Sequence, residues 1–324
     1  MDPNAKGVCR LCQSISRLVE SHIIPKFVIR WMKTTGTAYI RRVNAPNIRL
    51  QDGPKETLLC SKCEQLFSLR EGYFASHVFK PMLAGATRVE YDERLAYFLV
   101  SILWRVLQRN LSAAKQSAYR FLSEIQGAEK EWRRFLLNPS RINPFGHLHI
   151  FVADIAAQNP PGAPNFNLYC LRAMDATIFD CEARCYVFAK FSRFFIIAMI
   201  TPYDEGSWQN TRIVNGTGTL QTPQSVKDLG FGGFLRRRAK IAYERFDAGL
   251  TSKQLSVIRN QVKKKIPTLK TSDLLRASVA DQADARRVLS NAGKIGGNEM
   301  CPCGSGIEFG KCHGQCDVVG TPRP

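Results

Sequence analysis

The 324-residue sequence predicts an α+β fold in three folded parts. These are a small zinc-stabilised domain over residues 1–80, a central mixed helical and antiparallel-sheet region over 81–266, and a compact zinc hook over 299–316, reached through a linker arm at 267–298. Three observations carry this reading. Two Cys-x2-Cys pairs, Cys9/Cys12 and Cys60/Cys63, enclose 47 residues near one end. Between 147 and 215, β-branched and aromatic runs lie between two stretches of helical periodicity. At 301–313 the segment CPCGSGIEFGKCH gathers four nitrogen and sulfur donors.

Charge sets this chain apart. Forty-six Lys+Arg against 27 Asp+Glu leave a net charge of +19 and a pI near 9.7. Such an excess predicts a polyanionic partner, because cations that displace counterions from phosphates supply most non-specific affinity. The most apolar helix-like stretch, LAYFLVSILWRVL at 95–107, is too short for a bilayer and carries Arg105. It reads as a buried core helix, and no membrane partner is expected. The chain opens without a charged-then-apolar leader, so a cytoplasmic location is expected. There the 11 cysteines stay reduced and serve metal sites in preference to disulfides.

The elements follow in order. In 1–80, each Cys-x2-Cys pair delivers two thiolates at the bite a tetrahedral Zn²⁺ needs, and four thiolates close the shell. Pro25 marks the first position of a short helix. In 81–140, Asp92 caps a helix running to about Leu111, and Ala118, Leu122, Ile125, Trp132 and Leu136 trace an amphipathic one. Five strands are expected from LHIFVADI, FNLYCLRAM, ARCYVFAKF, RFFIIAMIT and TRIVN. Residues 234–266 return to helix, with Gly249 as a C-cap and Thr251 with Gln254 as a capping box. Leu255, Ile258, Val262 and Ile266 form that helix's buried stripe. Cys170, Cys181 and Cys185 read as inert buried thiols, and His147 and His149 as surface or core residues.

The order CRLC…ESHIIP…LLCSKCE resembles the HNH (His-Me finger) nuclease family over roughly residues 7–80. The resemblance implies a ββα-metal, treble-clef-like domain pinned by Cys9, Cys12, Cys60 and Cys63 around structural zinc. It implies that His22 activates water, and that a Mg²⁺ or Mn²⁺ ion stabilises the scissile phosphate. Glu64 falls where many members place the last histidine of the motif, and a carboxylate there suits a hard cation. Ser21 stands where the family often has an ion-binding Asp, Glu or His, with Glu20 one step back, and Lys55 stands where it has Asn. Two readings of Glu64 are open, because Ser61-x-x-Glu64 also fits a capping box. Glu71 is either a ligand or a solvated charge, and His77 is helix surface.

The C-terminal cluster resembles the SEC-C motif, a zinc hook that closes the SecA translocase and is appended to many bacterial proteins. Cys301, Cys303, Cys312 and His313 map onto its ligands, and Cys316 is left over. The resemblance implies a second structural zinc and a contact module for a protein partner, such as a chaperone or ribosomal surface.

Residues 236–270 hold eleven Lys/Arg against two acidic residues, and residues 1–80 hold thirteen against six. Arg236, Arg237, Arg238, Lys240, Lys263, Lys264 and Lys265 therefore form a candidate phosphate clamp with little base specificity. DNA is favoured over RNA. Two functions are carried forward. One is a metal-dependent HNH-type endonuclease of low sequence specificity, with defence against foreign DNA as its setting. The other is a non-catalytic zinc protein that binds nucleic acid or a ribosomal or chaperone partner.

Overall fold

The computed structural model describes residues 6–290, except 38, 44, 141, 142, 157, 182, 183, 270 and 271, together with 298, 299 and 308. The chain begins with β1 (Lys6–Val8), β2 (Ile15–His22), α1 (Lys26–Thr34), β3 (Ile40–Arg42), β4 (Ala45–Leu50) and β5 (Lys55–Cys60). Next come α2 (Ser61–Phe74), a π-helical turn (Ala75–Phe79), α3 (Lys80–Leu83), β6 (Arg88–Tyr91), α4 (Glu93–Gln116) and α5 (Leu122–Leu137). The middle holds β7 (His147–Val152), α6 (Phe166–Arg172), β8 (Met174–Cys181), β9 (Arg184–Phe191), β10 (Phe194–Met199) and a 3-10 turn (Glu205–Ser207). It continues with β11 (Trp208–Gln209), β12 (Arg212–Ile213), β13 (Gly218–Gln221) and β14 (Ser225–Val226). Three helices follow: α7 (Leu229–Ala248), α8 (Ser252–Leu269) and α9 (Asp273–Ser290).

These elements sort into two compact units. The first comprises residues up to Arg30, Asp52–Val152 and Met174–Gly230. Within it β1, β2 and β5 form an antiparallel sheet in the order β1-β2-β5, and α2 leaves β5 with no intervening residue. A bulge between Val19 and Glu20 shifts the register from Leu18↔Cys60 to His22↔Lys55. β2 thus ends at His22.

α4 is the core of this unit. All its residues from Leu95 to Leu107 are buried, as expected for a helix apolar on nearly every side. Asp92 accepts the backbone N–H of Arg94 at 3.0 Å as its N-cap. A five-stranded antiparallel sheet in the order β12-β7-β10-β9-β8 packs over α4. β10 is buried at every position and β9 at all but its first, so both read as continuous apolar runs rather than alternating ones. Phe74 of α2 stacks on Phe98 at 4.1 Å and meets Phe194 edge-on at 5.5 Å. Packing therefore continues across residue 80, where composition alone placed a boundary. α5 starts at Leu122; Ala118 lies in the preceding turn at φ 48°.

The second unit comprises Trp31–Gln51, Ala153–Ala173 and the chain from Phe231. It contains the β3–β4 hairpin and α6, α8 and α9 with most of α7. Here FNLYCLRAM forms α6, a helix where a strand is expected. The reason lies more than a hundred residues away. The Asp281 carboxylate on α9 accepts the backbone N–H groups of Asn167 and Leu168 at 3.1 and 2.9 Å, satisfying first-turn donors that a local sequence leaves orphaned. Most of the segment expected as a linker arm is likewise helix, since α9 runs through Asp273–Ser290. The Thr251 capping box forms in both directions, with Thr251 N–H to Gln254 at 3.0 Å and Gln254 N–H to Thr251 at 3.3 Å. The α8 stripe is shallower than expected. Leu255, Ile258 and Val262 are half-buried, and Ile266 is exposed.

Candidate functional site

The four N-terminal cysteines converge. Cys9 and Cys12 lie on the tight turn after β1, Cys60 ends β5, and Cys63 lies in the first turn of α2. Backbone bonds brace the turn: Gln13 N–H donates to the Cys9 carbonyl at 2.9 Å, and Arg10 N–H reaches the Leu58 carbonyl at 2.9 Å. Gln13 takes a left-handed φ of 62° to close it. The ligand atoms all lie within 4.8 Å of one another, with Cys12 Sγ 3.9 Å from Cys60 Sγ. A tetrahedral zinc with Zn–S bonds near 2.3 Å places its sulfurs about 3.8 Å apart, so the donor set fits Zn²⁺. Burial pushes the Cys9 and Cys63 thiols up, a penalty that a bound cation removes by holding them as thiolates. Among the described residues these four form the one group of three or more His, Cys, Asp or Glu at such spacing.

The end of β2 presents two side chains in opposite directions, as strand geometry requires. Ser21 is fully buried and donates to Glu64 Oε2 on α2 at 2.5 Å. Glu64 therefore does not cap its own helix: Cys60 is the N-cap position of α2, with no side-chain cap bond. The capping box over Ser61–Glu64 is absent because β2 supplies Glu64 with a closer donor. His22 turns the other way, and its Nε2 lies 2.9 Å from Asp52 Oδ1. An ionised carboxylate only accepts, so Nε2 carries a proton, and in the neutral imidazole the Nδ1 lone pair is open. Nδ1 has no hydrogen-bond partner among the described residues.

Asp52 links the site together. Its Oδ2 lies 3.0 Å from Lys55 Nζ, and Lys55 also reaches Glu20 Oε2 at 3.0 Å. Partial burial pushes the Asp52 carboxyl up. Hydrogen bonds from His22, Lys55 and the Gly53 amide outweigh this and hold it well below the usual carboxylate range. Gly53 lets the loop pass, since a Cβ there would come 2.8 Å from Ile29 Cδ1.

Behind the strand end stands Arg105, fully buried on α4. Its guanidinium donates to the His22 carbonyl, to Glu71 Oε1 at 2.8 Å and to the Ser101 carbonyl at 3.2 Å. Glu71 is thus the counter-charge of a buried arginine and not a solvated charge. His77 is exposed, stacked on Tyr73 at 4.5 Å. Asp52 and Arg105 escaped the sequence reading. A DG dipeptide three residues before Lys55 was a signal for Asp52; nothing local marks Arg105 as a partner of His22.

The basic candidates spread along α7 and α8. Arg236, Arg237, Lys263 and Lys264 are exposed, whereas Arg238 is half-buried. Lys240 lies 3.8 Å from Glu244, and Lys265 donates to the Gly36 carbonyl at 3.1 Å. His149 is buried between Thr211 and Tyr203, at 2.8 Å from each, and burial lowers its pKa to about 3. His147 contacts Tyr203 and Glu205. Burial pushes the Cys185 thiol up to about 12, in keeping with an inert core residue. Cys301, Cys303, Cys312 and His313 lie outside the described residues.

No described helix is long and apolar enough to cross a membrane. No solved structure matches the chain. A stretch of 94 residues is 27% identical to the protein translocase subunit SecA of Endomicrobium trichonymphae, covering 27% of this chain and 11% of that protein. The chain therefore spans a small part of this relative's length. Residues 298–315 match the SEC-C motif family, and this motif and the four-cysteine cluster both suggest zinc binding.

Proposed function

We propose that this chain is a metal-dependent, HNH-type phosphodiester hydrolase acting on DNA with low sequence specificity. The observation that carries the reading is the His22–Asp52 pair at the end of β2, on a β2–β5–α2 unit whose four cysteines converge. His22 Nδ1 accepts a proton from the attacking water. Asp52 keeps Nε2 protonated, orients the ring and stabilises the imidazolium that forms. Lys55 keeps Asp52 ionised. Ser21 holds one oxygen of Glu64 on the other side of β2 from His22, so the proton step rests on His22 and Asp52 without Glu64. A Mg²⁺ or Mn²⁺ ion, which takes one or two carboxylates plus substrate phosphate oxygens, supplies Lewis acidity at the phosphoryl group. The exposed cations of α7 and α8 supply phosphate contacts.

Supercoiled plasmid incubated with Mg²⁺ or Mn²⁺ tests the reading. Wild-type protein nicks it, and His22→Ala loses about 10²–10⁴-fold in rate, the usual contribution of a general base. Equal, negligible nicking by both proteins with every metal sinks the proposal. A second reading has its own support: the 2.5 Å Ser21–Glu64 bond engages the carboxylate, and Ser21 is a poor ion ligand. It makes the chain a zinc-stabilised nucleic-acid binder without cleavage, with affinity that falls steeply as salt rises.

A further inference from the structure

In the second unit, the β3–β4 hairpin and the first two turns of α8 border an open surface cavity of about 170 Å³ lined by Arg41, Asn47, Arg49, Lys253, Gln254 and Val257. Three of its six lining residues are cations and none is a carboxylate. Arg41 and Arg49 are register partners across the hairpin, and Asn47, two residues from Arg49, shares their face. Like charges placed directly opposite each other are destabilising. Neither arginine, nor Lys253, has an ion-pair partner among the described residues. Burial, with the charge of Arg49, holds the Arg41 guanidinium below its ordinary pKa.

The cations are also held in place. One Arg41 nitrogen donates to the Pro46 carbonyl, and Arg49 lies over the Tyr39 ring at 5.2 Å. The turn between α7 and α8 approaches the hairpin so closely that a Cβ added at Gly249 would overlap the Pro46 ring. This brings Lys253 and the positive end of α8 beside the arginine pair. A volume of this size equals roughly six waters' share of the liquid, enough for one phosphate group with some of its hydration.

We propose that this cavity binds a phosphate group, with Arg41, Arg49 and Lys253 as its charge partners and Asn47 and Gln254 as amide donors. The proposal stands apart from the His22 site and from any cleavage. Planar guanidinium groups match phosphate oxygens, and a bound dianion removes the like-charge repulsion that the empty hairpin carries. The phosphate comes either free in solution or as part of a nucleic-acid backbone.

The full-length protein is titrated with inorganic phosphate at constant ionic strength, with chloride as control, reading the thermal midpoint and the binding heat. A short labelled oligothymidylate is titrated in parallel. The variants are Arg49→Gln and Arg41→Gln, with zinc content reporting that each is folded. Phosphate raises the wild-type midpoint by mass action, and each variant weakens phosphate binding at least about tenfold, as loss of a charge-assisted bond predicts. Without phosphate, Arg49→Gln unfolds at the same or a higher temperature than wild type. Loss of phosphate binding with unchanged oligothymidylate affinity identifies a free phosphate. Weaker oligothymidylate binding, with a salt slope reduced by about 0.7, identifies the backbone. If both variants bind both probes as wild type does, or if phosphate acts no differently from chloride, the proposal is overturned.

Discussion

Asp52 divides its carboxylate between His22 and Lys55, one oxygen to each. Its depressed pKa makes the contribution to stability pH-dependent in a defined direction. The unfolded state takes up a proton near pH 4 while the folded state still resists, so the stabilisation is present above about pH 4 and is lost as pH falls toward the folded value. Acid unfolding of Asp52→Asn, followed by circular dichroism, should therefore show a shallower loss below pH 4 than wild type. His149 behaves similarly in a higher window. Its folded pKa of about 3 lies below the ordinary 6.5, so the unfolded state binds the proton first as pH falls. Stability drops between about pH 6.5 and 3 with a slope of up to about 1.4 kcal/mol per pH unit, and His149→Gln removes that slope. Arg105 is a costly side chain to lose, because it is fully buried and ion-paired. Arg105→Met leaves the Glu71 carboxylate and the His22 carbonyl without their donor, a loss of about 3 kcal/mol in denaturant unfolding.

Helix α6 shows how an element is decided from outside itself. Its seven residues are too few to hold a helix by propensity, and its first-turn donors are met by Asp281. Asp281→Ala should cost about 2 kcal/mol, read from denaturant unfolding, with Gln282→Ala as an exposed-site control on the same helix. The β1 turn and the start of α2 depend on the cysteines in the same way. Cys63→Ser, or prolonged chelation, should release zinc and melt the β1-β2-β5 sheet, seen as lost amide protection over residues 6–30 and 52–74. Retained protection there after full zinc loss would show that Phe67, Phe74 and the aromatic core hold these elements without metal.

For the whole chain, the surplus of nineteen positive charges bears on association and solubility more than on fold. On the proposed nucleic-acid reading, the exposed cations on α7 and α8 contact phosphates without reading sequence, so duplex affinity should fall linearly on a log–log plot against salt. A flat plot would exclude a phosphate-led contact. Metal analysis of the full-length chain should return two zinc ions, one for each cysteine cluster.

Much of this was readable in one dimension because its causes are local. Two Cys-x2-Cys spacings bring thiolates to a common bite, Asp92 and Thr251 cap the helices that follow them, and an uninterrupted apolar run from Leu95 declares a core helix. The remainder rests on meetings between distant residues, which no spacing rule anticipates. Asp281 makes a helix of a segment that looks like a strand, Arg105 grips the carbonyl of His22 from 83 positions away, and Ser21 engages Glu64 in place of the cap that was one of its two open readings. The hairpin arginines meet Lys253 by the same means. Hydrogen bonding and charge pairing act over a few ångströms, so their partners become defined only once the apolar core has brought the chain's segments together.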